Sequence, residues 1–161
     1  MIYNNAEEVI LLVKAFEERT LSKSEWTHAA YLTIGLYYCL RFPFGVAANL
    51  LRDGIYWLND AHGVSNTKTS GYHETLTVFW LITIKQFIET SQRYSIADLA
   101  NELILTCGDS NLPFQYYSRE LLASPDAREH HLQPDLDRFY LFANLPKLTI
   151  SMGSAATAKL F

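Results

Sequence analysis

From Ala29 to Leu40 the chain reads AAYLTIGLYYCL, apolar on nearly every helical face. Such a segment is stable only with neighbours all round, so it calls for a central helix with the rest of the chain packed about it. The rest has the pattern to do this. "AEEVILLVKAFEER" puts Val9, Leu12, Val13 and Phe16 on one stripe, and "YHETLTVFWLITIKQFIETSQ" repeats its apolar residues at helical spacing. No stretch alternates as a strand does. The expectation is an all-α fold, a compact single-domain helical bundle of about six to eight helices. It occupies residues 1–146. Residues 147–161 form a small, polar C-terminal tail without periodicity, open to flexibility or to contact with a partner.

Residue chemistry places the helix ends. Ser22 with Glu25 three positions on matches a capping box, which starts the central helix near Ser22 to Ser24. Pro43 suits the first turn of a third helix, and Gly63 its stop. Gly54, inside that helix, implies a close helix crossing. Ser95 and Asp98 cap a fifth helix that runs to Cys107 and stops at Gly108. "LPFQYYSRELLAS" reads as a sixth, and Ser124-Pro125 and Gln133-Pro134 as two short helix starts.

The 161 residues fit one domain, and 49% apolar with 14% aromatic content is too hydrophobic for a disordered chain. The net charge is −4 and the 13 Lys and Arg form no basic run, so nothing marks a nucleic-acid surface. The N-terminus has no basic segment or cleavage site of a signal peptide. Apolar runs reach only about ten residues where a bilayer needs about 20, which argues against a membrane span. Cys39 and Cys107 lie in apolar helical patterns without Cys-x-x-Cys spacing and read as buried free thiols, consistent with a reducing cytoplasm. A homo-oligomer is compatible with all of this.

Of the five histidines, three fall at helix ends: His28 early in the second helix, His62 closing the third, His73 opening the fourth beside Glu74. Short loops favour antiparallel neighbours, which would bring a start, an end and a start to one end of the bundle. Three imidazoles and a carboxylate suit a divalent metal, zinc, iron or manganese, with His28, His62 and His73 as the metal set. The plainer alternative makes each histidine a cap or a hydrogen-bonded surface residue, with Glu74 complementing a helix dipole. Glu25 and His28 form Glu-x-x-His, but the second copy a di-iron bundle requires is missing. His130 and His131 read as a surface pair. No nucleophile elbow, dinucleotide or phosphate loop occurs.

The segments "EWTHAAYL", "AHG", "NT" and "GYHETLTVFW", in this order, resemble an uncharacterised group of bacterial all-helical proteins carrying Trp-Thr-His, Ala-His-Gly, Asn-Thr and Gly-Tyr-His-Glu-Thr. "SRELLASPDAR" and "PDL" extend the likeness over roughly residues 25–136. The group carries no assigned activity. Its matching positions include Trp26, Thr27, His28, His62, Gly63, Asn66, Thr67, Gly71, Tyr72, His73, Glu74 and Thr75. It often has a second histidine three residues after the first; here Tyr31 stands there, as a phenolate ligand or a hydrogen-bond donor.

Two functional readings follow. One is an enzyme acting on a small molecule by metal-assisted hydrolysis or oxidation, or with His28 or His73 as general base and Glu74 orienting it. The other is a non-catalytic module in which Tyr31, Asn66, Thr67 and Tyr72 help to hold a small ligand between aromatic walls. A third possibility leaves the histidines merely tying helix ends together.

Overall fold

Helix α2 (His28–Arg41) is the central element, touching helices on all sides. The computed structural model describes residues 3–92 and 95–136. Around α2 pack α1 (Ala6–Glu17), α3 (Phe44–Ala61), α4 (Glu74–Thr90) and α5 (Ile96–Cys107). A 3₁₀ turn (Leu112–Gln115) and the short helices α6 (Arg119–Ala123) and α7 (Pro125–Glu129) follow, with α7 lying on α4. Among the described residues every regular element is helical. Leu32, Ile34 and Leu36 of α2 are fully buried, meeting the requirement that an all-round apolar helix be enclosed. The N-terminal segment is strapped to α5 by a reciprocal pair, Tyr3 N–H to Asn101 Oδ1 and Asn101 Nδ2–H to the Tyr3 carbonyl, both 2.8 Å.

The expected helix crossing at Gly54 is made with α1: a Cβ there would stand 2.5 Å from Cζ of the buried Phe16 ring. Gly63 follows the C-cap residue His62 at φ +67°, a left-handed conformation that suits glycine at a helix end.

Three boundaries differ from expectation. The Ser22–Glu25 box forms, with the Ser22 N–H donating to Glu25 Oε2 at 3.0 Å, but it closes a separate turn. Thr27 is the real N-cap of α2, its hydroxyl accepting from the Ala30 N–H, so the helix starts at His28 rather than near Ser22. The expected sixth helix is split. Ser118, itself held by Asp135, turns its hydroxyl to the Leu121 N–H and begins a new helix. A serine that offers the backbone a side-chain acceptor favours caps over helix interiors. At Gln133–Pro134 no helix has begun by residue 136; the tail 147–161 lies outside the described residues. The two thiols are free and only half-buried, and desolvation pushes the Cys39 thiol up to about 12.

Candidate functional site

The start of α2, the end of α3 and the start of α4 do meet, and between them lies a cleft of about 390 Å³. Trp26, His28 and Tyr31 line it from the α2 side. Ile55 and Asn59 come from α3, and Val64 and Gly71 from the loop that follows. Tyr72, His73, Leu76, Thr77 and Trp80 close it from the α4 side. The walls are largely aromatic. The His28 ring stands edge-on to Trp80, centroids 4.5 Å apart, and stacks with Tyr31 at 6.1 Å; Trp26 stacks on Phe16 at 5.3 Å.

His73 lies in the cleft wall but is fully occupied. Its Nε2–H donates to the Leu122 carbonyl at 2.9 Å, and its Nδ1 accepts from the Leu76 N–H at 3.3 Å as the N-cap of α4. Both bonds together need the neutral ring with its proton on Nε2. Burial, the largest influence, lowers its pKa and keeps it in that form. His62 does not join the cleft. It is half-buried and its Nε2–H donates to the Leu21 carbonyl at 2.8 Å, tying the end of α3 to the link between α1 and α2. The expected convergence of three histidines therefore stops at two, because the polar ring ending α3 finds a carbonyl on the other side.

Glu74 does not orient a histidine either. It is 6% exposed, and a buried carboxylate needs a full complement of donors. Arg52 of α3 supplies two, Nε to Oε2 at 3.0 Å and Nη2 to Oε1 at 2.5 Å, and the Tyr72 hydroxyl donates to Oε2 at 2.6 Å. Burial and the neighbouring Glu74 charge push the Tyr72 phenol far above its ordinary range, and the carboxylate hydrogen bonds hold Arg52 firmly charged. Tyr72 thus lines the cleft with its ring while its hydroxyl is spent on Glu74.

Asn66 and Thr67 shape the loop. Asn66 Oδ1 accepts from Asn59 Nδ2–H at 2.8 Å and from the Tyr72 N–H at 2.9 Å. Thr67 is exposed, its N–H on the Ser70 carbonyl, and takes no part in the cleft. Arg128 of α7 clasps the loop end through the Gly71 and Tyr72 carbonyls, both at 3.0 Å. Thr75, fully buried, donates to the His130 carbonyl and accepts from the Leu132 N–H, which anchors the segment after α7. The expected surface pair divides there: His130 is exposed, whereas His131 is half-buried within reach of the Glu74 charge.

What is left uncommitted is small and specific. The Nε2 atom of His28 and the hydroxyl of Tyr31 are buried without a hydrogen-bond partner, and both side chains line the cleft. Burial lowers the His28 pKa while the Cys107 carbonyl pulls the other way. Burial favours the neutral ring, in which one nitrogen carries a proton and the other a lone pair. Burial raises the Tyr31 phenol far above its ordinary range, so without a cation beside it the hydroxyl keeps its proton. The Thr77 hydroxyl nearby already donates to the His73 carbonyl at 3.0 Å. For a metal this is a poor donor set: His28 alone offers a free nitrogen. Among the described residues no three His, Cys, Asp or Glu side chains come together in a way that could hold an ion.

Arg52, Asn59, Thr77 and Arg128 were not singled out from the sequence. A faint signal existed for two of them. Asn59 continues the apolar row of Leu51 and Ile55 at i+8 and i+4, and Thr77 follows His73 by four, so each polar residue sits on an otherwise buried face. Among the described residues no helix is long and apolar enough to cross a membrane. Compared with family models, curated proteins and solved structures, the chain matches none.

Proposed function

We propose that this chain binds a small molecule in the cleft between α2, α3 and α4, and that the cleft recognises rather than transforms its ligand. The observation that carries this reading is the pair of buried, unpartnered polar atoms, His28 Nε2 and the Tyr31 hydroxyl, on one wall of an aromatic cleft. A buried polar group without a partner costs about 1–3 kcal/mol, a cost a ligand would relieve. At about 390 Å³ the cleft lies within the roughly 300–1,000 Å³ span of small-ligand pockets. Catalysis finds less support. His73 would have to break its cap to accept a proton, Glu74 is saturated by Arg52 and Tyr72, and no carboxylate lines the cleft to orient His28 as a base. The metal-dependent alternative would have to recruit ligands beyond His28.

The three tryptophans make the test direct. Trp26 and Trp80 line the cleft, while Trp57 is half-exposed on the outer face of α3 under the Arg19 guanidinium. Small uncharged aromatic fragments titrated into isotope-labelled protein should shift the indole N–H resonances of Trp26 and Trp80 and leave Trp57 still. Shifts confined to Trp57, or none at saturating fragment, would remove the cleft from consideration.

A further inference from the structure

We infer that the ligand is an uncharged, flat ring compound carrying a hydrogen-bond donor and an acceptor side by side, as in a cyclic lactam or a nucleobase edge. The inference rests on the reading of the cleft as a ligand site and narrows it by chemistry.

The first argument is charge. No Lys, Arg, Asp or Glu side chain lines the cleft. Its two imidazoles are held neutral by burial, and its phenols Tyr31 and Tyr72 stay protonated. The charges closest to it are spoken for. Glu74 is paired with Arg52, and Arg128 is bound to the Gly71 and Tyr72 carbonyls. Asp109, which acts on His28 from a distance, accepts hydrogen bonds from Asn111. A carboxylate, phosphate or ammonium entering here would lose its water and gain no counter-charge, a penalty that uncharged ligands escape.

The second argument is shape. Trp26 and Tyr31 from the α2 side and Tyr72 and Trp80 from the α4 side all line the cleft. Aromatic walls reward a planar guest by offset stacking and edge contacts.

The third is the polarity of the two free atoms. His28 and Tyr31 lie three residues apart on one face of α2. In the neutral ring His28 Nε2 either donates or accepts, according to the tautomer. The Tyr31 hydroxyl, which makes no hydrogen bond although the Thr77 side chain lies close, can donate to a carbonyl or ring nitrogen or accept from an N–H. A ligand edge that offers a donor beside an acceptor meets both atoms whichever tautomer His28 takes.

The test uses three probes of similar size: α-pyridone, a neutral lactam; benzoate, its charged counterpart; and fluorobenzene, a ring without a hydrogen-bonding edge. Each is titrated into the whole chain at neutral pH, with the Trp26 and Trp80 indole resonances as readout. α-Pyridone should bind at least about tenfold tighter than either of the others. Tyr31→Phe removes the hydroxyl and keeps the ring. His28→Asn removes Nε2 altogether. Each should weaken α-pyridone by about five- to tenfold, the worth of one neutral hydrogen bond, and Tyr31→Phe, which keeps the ring, should leave fluorobenzene unchanged. Cooperative thermal melting shows that the variants fold; if His28→Asn does not, Tyr31→Phe decides alone. Benzoate binding tighter than α-pyridone, or affinities indifferent to both variants, would overturn the ligand class while leaving the cleft as a site. No response of Trp26 and Trp80 to any probe would overturn the site itself and assign the two atoms to ordered water.

Discussion

The replacement Glu74→Gln separates a structural carboxylate from a catalytic one. The substitution keeps shape and volume and removes one charge. Glu74 receives three hydrogen bonds, two from Arg52 and one from the Tyr72 hydroxyl. A glutamine oxygen can accept at only one of the two carboxylate positions, and its NH₂ must then face either a guanidinium N–H or the phenol, donor against donor. At least one strong, charge-assisted bond is lost, worth about 1.5–3 kcal/mol. The Arg52 charge also loses its partner. Breaking a buried ion pair from one side costs about 3–5 kcal/mol. The Arg52 side chain is 29% exposed, so water recovers part of that. A loss of roughly 3 kcal/mol is expected. For a chain of this size each kcal/mol moves the melting temperature by about 2–4 °C, so the variant should melt about 6–12 °C lower. Calorimetry with urea unfolding reads both quantities. Arg52→Met in the same background should cost little more, since the pair is already broken. A Glu74→Gln protein within about 0.5 kcal/mol of wild type, yet unable to hold its ligand, would refute the structural assignment and return Glu74 to the chemistry.

Three further outcomes are expected. Burial lowers the pKa of His28, His73 and His131, so the folded protein holds them neutral where the unfolded chain, with ordinary values near 6.5, takes up protons. Their contribution is fully present above about pH 6.5 and is lost as the pH falls toward the folded values, at up to about 1.4 kcal/mol per pH unit for each ring; a flat profile of unfolding free energy between neutral pH and the carboxylate range would contradict this. Gly54→Ala gains about 1 kcal/mol of helix propensity but drives its Cβ into the Phe16 ring, and overpacking of about 1–3 kcal/mol should leave the variant less stable in urea; a more stable alanine variant would show that α1 moves aside freely. Glu25 serves only the turn before α2, so Glu25→Ala should lower stability slightly and leave the cleft resonances and ligand affinity unchanged, whereas lost binding at unchanged stability would place it in the site.

How much of this was legible depended on the range of the interaction. The bundle followed from apolar periodicity, and caps made by a residue and its third neighbour, Ser95 with Asp98 and Ser124 with Ala127, were readable because the contact is local. Even there, Ser22 and Glu25 formed their bonds and still did not start the helix, since Thr27 offered a second cap closer to its first turn. The meeting of three helix ends was readable from topology. The assignments within it were not, because they turn on long-range choices. His73 reaches Leu122, 49 residues on, His62 reaches Leu21, 41 residues back, and Glu74 takes Arg52, 22 residues back. No spacing rule announces which of several nearby donors a buried carboxylate will find.

These same commitments explain why the polar loop between α3 and α4 is more than a site rim. Asn66 fixes the loop to Asn59 and Tyr72, Arg128 clasps its end, and His73 caps the helix that follows. Most of the conspicuous side chains between Asn59 and Thr75 therefore satisfy backbone and charge where a mobile link would otherwise leave them bare. That assignment sharpens the meaning of the two atoms left over. If His28 and Tyr31 served only to fill space between Trp26 and Trp80, an apolar ring at each position would do so without burying an unmet polar atom. Among the described residues the Tyr3 hydroxyl, away from the cleft, is also buried without a partner, whereas Thr75, Thr77, His73 and Glu74 are met. Two of the three unmet atoms share one wall of the cleft, and it is that shared location that argues for a guest.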